Sequence, residues 1–82
     1  MKLYIGRKSY AAATIMEAQA IYVSVREAES RKGPGFGGSS TFPPGVLHGT
    51  GSKYRISYNG RVWDGVDREV TSADTRWLSL RA

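Results

Sequence analysis

Asn59-Gly60 stands between two runs of alternating polarity, Lys53-Tyr54-Arg55-Ile56-Ser57-Tyr58 and Arg61-Val62-Trp63-Asp64. Alternation at period two sends successive side chains to opposite faces of a strand. Asn-Gly is the preferred centre of a two-residue type I′ turn, whose twist matches that of the strands it joins. A β-hairpin follows before anything else about the chain is considered. On that turn length Tyr58 is expected opposite Arg61, Ser57 opposite Val62, Ile56 opposite Trp63 and Arg55 opposite Asp64. One face then carries Tyr54, Ile56, Tyr58 and Trp63. The other carries Lys53, Arg55, Ser57 and Asp64, with Arg55 and Asp64 as a cross-strand charge pair.

The aromatic face needs a cover, and the sequence supplies one. Thr14-Ile15-Met16-Glu17 matches a capping box, in which hydroxyl and carboxylate satisfy amides left orphaned at a helix start. Ala18, Ile21, Tyr22, Val25 and Ala28 then recur at the spacing of one buried helical face, with Glu17, Ser24, Glu27 and Arg31 on the other side. Arg31-Lys32 suits a helix C-terminus and Gly33-Pro34 stops it. The spacing predicts a helix from about Ile15 to Ser30.

Elsewhere the signals are weaker. Leu3 to Ala12 reads as extended, with a short hairpin about Gly6. Residues 33–40 form a flexible Gly-rich loop containing Phe36. Gly-rich loops cradle phosphate when they lead from a strand into a helix, whereas this one follows a helix and lacks a Walker lysine. Val46-Leu47-His48 is a short strand between turns at Pro44-Gly45 and Gly49-Thr50-Gly51-Ser52. In the segment 66–82, Thr71-Ser72-Ala73-Asp74 resembles a helix start, with Ala73, Trp77 and Leu80 on one side.

The fold class expected is α+β, a single domain over residues 1–82. It consists of a small antiparallel sheet of three or four strands in the order β(β)αβββ, with one main helix packed on one face. A short C-terminal helix or extended tail follows, and 66–82 reads as an appended tail. Eighty-two residues make one light domain with room for one core and one recognition surface.

There are no cysteines, so disulfides, zinc ribbons and thiol chemistry drop out. No apolar run reaches membrane-spanning length, and Met1-Lys2-Leu3-Tyr4-Ile5-Gly6-Arg7 has no long apolar region. The expectation is a cytoplasmic protein. Twelve Lys and Arg against seven Asp and Glu give a net charge of +5, which favours nucleic acid or an acidic protein surface as partner.

Catalytic and metal constellations are missing from the pattern. His48 is the one histidine and has no second ligand type or nucleophile at a useful spacing. Asp64, Asp67 and Glu69 are interleaved with arginines, which fits charge balancing better than a cation site. No cofactor is expected, nor an enzyme. Base stacking on the ribbon is disfavoured at this stage, because the rings share a face with Ile56 and the basic face carries none.

Ser40-Thr41-Phe42-Pro43, followed by Tyr54-Arg55-Ile56-Ser57-Tyr58-Asn59-Gly60-Arg61-Val62-Trp63, resembles the closing half of small bacterial proteins found on phages and mobile elements. Those have a strand–helix first half, and the resemblance stops before the tail. The profile is also similar to anti-CRISPR proteins: very short, cysteine-free, single-domain, without catalytic motifs. Many of those are acidic DNA mimics, and the positive charge here disfavours mimicry.

The resemblance implies a non-catalytic inhibitor from a phage or mobile element. It would block a host defence complex, a CRISPR effector, by steric contact in the bacterial cytoplasm. The charge alone implies a basic nucleic-acid-binding accessory domain that contacts the phosphate backbone. For either, the expected partner-binding residues are Arg31, Lys32, Phe36, Lys53, Arg55 and Arg61, with Arg68 and Arg76 as weaker candidates. Neither partner identity nor oligomeric state is legible.

Overall fold

A computed structural model describes residues 1–30 and 42–80. Its helix α1 spans Ile15–Ser30, where the periodicity placed it. Thr14 Oγ1 accepts the Glu17 N–H at 3.1 Å, and the Glu17 carboxylate reaches back to the Ala13 N–H at 3.1 Å. These bonds fix the helix start. The next orphan donor, the Met16 N–H, is taken by the Trp77 carbonyl at 3.2 Å.

Six strands, among the described residues, form one antiparallel sheet: β1 (Lys2–Ile5), β2 (Lys8–Ala11), β3 (Gly45–Gly49), β4 (Ser52–Ile56), β5 (Val62–Trp63) and β6 (Glu69–Val70). Their spatial order is β2-β1-β3-β4-β5-β6. The N-terminal hairpin therefore joins the later meander through the pairing of β1 with β3, which sets Leu3 opposite Leu47 and Tyr4 opposite Val46. The class is α+β as expected, with six strands in place of three or four.

The core lies between α1 and one face of this sheet. Leu3, Leu47, Tyr54, Ile56, Val62 and Val70 from the strands meet Ile15, Ala18 and Tyr22 from the helix. Phe42 closes one end, its ring 5.5 Å from that of Tyr22. The Tyr22 hydroxyl, inside the core, donates to the Pro43 carbonyl at 3.0 Å. Ala28, expected on the buried helical face, is exposed, because the burial of α1 fades toward its C-terminus.

Two sequence expectations are corrected. The Asn-Gly hairpin pairs Arg55 with Trp63 and Ile56 with Val62, one residue away from the expected register. Its loop holds three residues, 58–60, closed by the Ser57 N–H on the Arg61 carbonyl at 2.9 Å, with Gly60 at φ +87°. This is the three-residue hairpin whose last position needs a left-handed backbone. Period two does the rest: Val62 turns inward and Trp63 outward.

The second correction concerns 66–82. Val70 and Trp77 are buried in the core, and β6 is an edge strand of the sheet. The segment after β6 makes successive tight turns, with the Asp74, Trp77 and Ser79 amides bonded to the carbonyls three residues earlier. Asp74 Oδ1 captures the Arg76 N–H at 2.8 Å, a local side-chain bond that competes with helix continuation.

Candidate functional site: the open face of the sheet

With α1 on one side, the other face of the sheet is left open by the described residues. Strand register determines what stands on it. Tyr4, Val46, Arg55, Trp63 and Glu69 are successive direct neighbours in one row across β1, β3, β4, β5 and β6. Lys2, His48 and Lys53 make a second row across β1, β3 and β4. Arg61, opposite Ser57 at the hairpin end, extends the same face.

The rings and cations touch one another. Tyr4 and His48 pack edge to face, with centroids 5.3 Å apart and planes at 77°. Lys2 Nζ lies 6.0 Å from the Tyr4 centroid, and the Arg55 guanidinium lies 6.0 Å from that of Trp63. Both are within cation–π range. The Trp63 indole N–H makes a long hydrogen bond of 3.4 Å to Ser57 Oγ, which orients the ring. Tyr4 is 39% exposed, whereas Trp63 is half-buried. Lys2, Lys53, Arg55 and Arg61 are exposed; the carboxylate facing them from the described strands is Glu69. A groove of about 370 Å³ runs beside this row, lined by Val46, Lys53, Arg55, Gly65 and Asp67 among others.

Of the expected partner-binding residues, Lys53, Arg55 and Arg61 are brought together on this face. Arg31, Lys32 and Phe36 lie outside the described residues. Arg68 is exposed in the loop between β5 and β6. Arg76 is committed elsewhere: Nε and Nη2 grip both Asp74 oxygens at 3.0 and 2.9 Å, and Nη1 reaches Asp64 Oδ2 at 3.2 Å. The expected Arg55–Asp64 pair is therefore replaced by Arg76–Asp64, and Arg55 lies over Trp63 instead.

That clasp shapes the local electrostatics. The Asp64 carboxylate accepts the Arg68 and Val66 N–H groups as well as Arg76, and these bonds hold its pKa below the ordinary value. The Arg76 side chain, helped by its own N–H, pulls Asp74 from 3.8 down to about 2. The same bonds, Asp74 first, raise the pKa of Arg76. The interleaved acids and arginines thus act as a brace between the β5–β6 loop and the tail.

Tyr4, His48 and Trp63 were not among the expected partner-binding residues. A three-residue reading of the Tyr58-Asn59-Gly60 turn would have placed Trp63 beside Arg55. Among the described residues no group of three or more His, Asp or Glu is placed to hold a metal ion, and no helix is long and apolar enough to cross a membrane. Comparison with protein-family models, curated proteins and solved structures finds no match.

Proposed function

We propose that this chain is a non-catalytic binding protein, that its working surface is the open face of the sheet, and that its ligand is nucleic acid. The observation that carries this reading is the register that gathers Lys2, Lys53, Arg55 and Arg61 on one face with Tyr4, His48 and Trp63. Cations of this kind neutralise backbone phosphates and release counterions, so affinity must fall steeply with salt. With these four cations engaged, the log–log slope is about −3, and affinity falls roughly fiftyfold between ~50 and ~200 mM salt. Titration of labelled oligonucleotides by fluorescence anisotropy at the two salt levels tests this. Absence of binding at low salt refutes it.

The same face supports a second reading, taken from the resemblance to anti-CRISPR proteins. Here a phage or mobile-element inhibitor blocks a CRISPR effector sterically in the bacterial cytoplasm, its cations set against an acidic protein surface or the effector's nucleic acid. This reading requires binding to a surveillance complex that Arg55→Glu abolishes, together with protection of phage in hosts carrying that complex.

A further inference from the structure

We propose that the open face takes a single strand laid across the β-strands, with bases stacked at two stations, Tyr4 and Trp63, and that it binds this form more tightly than duplex. The proposal rests on the nucleic-acid reading above and adds the form of the ligand, its path and its minimum length.

Tyr4 and Trp63 lie in one register row, with Val46 on β3 and Arg55 on β4 between them. Three inter-strand steps set them about 14 Å apart. The two positions between carry no ring, so stacking surfaces stand only toward the ends of the row. His48 and Tyr4 pack edge to face beside one another. The Arg55 guanidinium lies over Trp63, 6.0 Å from the ring centroid.

The second row, Lys2, His48 and Lys53, runs parallel to the first at two residues' distance along the strands, about 7 Å. A strand whose bases meet the ring row would have its phosphates over this one. Charge selects a polyanion for this surface, and the rings select its form. Every base has a stackable face, but only an unpaired, splayed strand offers those faces to a flat sheet. Duplex can offer its phosphates alone.

Length follows from the spacing. Stacked bases advance about 3.4 Å per step and an unstacked strand advances further, so roughly three to five nucleotides are needed to touch both rings.

The test uses the full chain and oligothymidylates from about two to about eight nucleotides, with a hairpin duplex as comparator at the same low salt. Expected are a rise in affinity of roughly tenfold or more as the length passes about four nucleotides, and duplex binding weaker than single-strand binding. Tyr4→Leu and Trp63→Leu should each cost roughly tenfold for the single strand and leave duplex binding unchanged, while Tyr4→Phe keeps wild-type affinity. Tyr4 is exposed, so its variants report on binding even if Trp63→Leu unfolds the hairpin. Equal binding of single strand and duplex, or Leu variants that bind like wild type, overturns this proposal and leaves the nucleic-acid reading standing. No binding of either form overturns both.

Discussion

Gly45 and Tyr22 meet at the centre of the core: a β-carbon built on Gly45 would stand 2.9 Å from Tyr22 Cδ2. It would also press on Leu3 Cδ1 at 3.2 Å and Ile56 Cβ at 3.3 Å. Tyr22 is fully buried and tied to Pro43 through its hydroxyl, so it has little freedom to give way. Gly45→Ala should therefore destabilise the fold by about 1–3 kcal/mol, the range for overpacking a tight interior. Urea unfolding monitored by circular dichroism measures this. A midpoint equal to wild type would mean that the helix can lift off β3 at no cost.

Gly60 tests the hairpin register. At φ +87° an L side chain is strained, and a new β-carbon would lie 3.4 Å from Val23 Cγ2. Gly60→Ala should cost about 1–2 kcal/mol, and Gly60→Asn should cost less, since Asn tolerates the left-handed region. The order of the two thermal midpoints decides the matter. Equal losses in both variants would point away from backbone conformation as the cause.

The Arg76 clasp predicts a pH dependence of stability. Asp74 has a folded-state pKa of about 2 against an ordinary 3.8. A depressed carboxyl pKa means that the unfolded chain binds more protons in this range. The stabilisation is therefore present above 3.8 and is lost as pH falls toward about 2. Asp64, also lowered, adds to the effect in the same direction. In Arg76→Gln the acid limb of a stability–pH curve should flatten, with the largest difference from wild type near neutral pH. Parallel curves for the two proteins would show that the clasp does not contribute.

Arg55 and Arg61 are exposed and outside the core, so reversing their charge should spare the fold. Arg55→Glu and Arg61→Glu should each weaken oligonucleotide binding and make the salt slope shallower by about one unit. Thermal melts beside the titrations separate binding from folding. Unchanged slopes in both variants would move the interface off this face.

The span of the helix was legible because its signals are local and agree. The capping box marks its start and the apolar spacing marks its buried side, and neither depends on the rest of the chain. The hairpin was legible as a hairpin but not in register. Asn-Gly by itself specifies two residues, yet Tyr58 is drawn into the loop by contacts from distant sequence. Its carbonyl accepts a hydrogen bond from Arg26 Nη1, its ring lies 5.3 Å from that guanidinium, and Phe42 packs 6.3 Å from the ring. Val62, inside, is backed by Val70 of β6, a strand of two residues that is too short to show any period. Trp63, outside, keeps its N–H on Ser57. The site followed the register: Lys53, Arg55 and Arg61 stand together on the open face, whereas Trp63 beside them was expected on the core face. The tail misled because Asp74 resembles a helix-start residue while its carboxylate is held by Arg76.

The hairpin loop at 58–60 thus governs, through its length, which side chains the ribbon displays on its open face. Removing one residue there would carry Trp63 inside and Val62 out, exchanging an aromatic display for an aliphatic one with no strand residue altered. Two chains with the same strands could then differ in what they hold, and their kinship would be plain while their ligands were not.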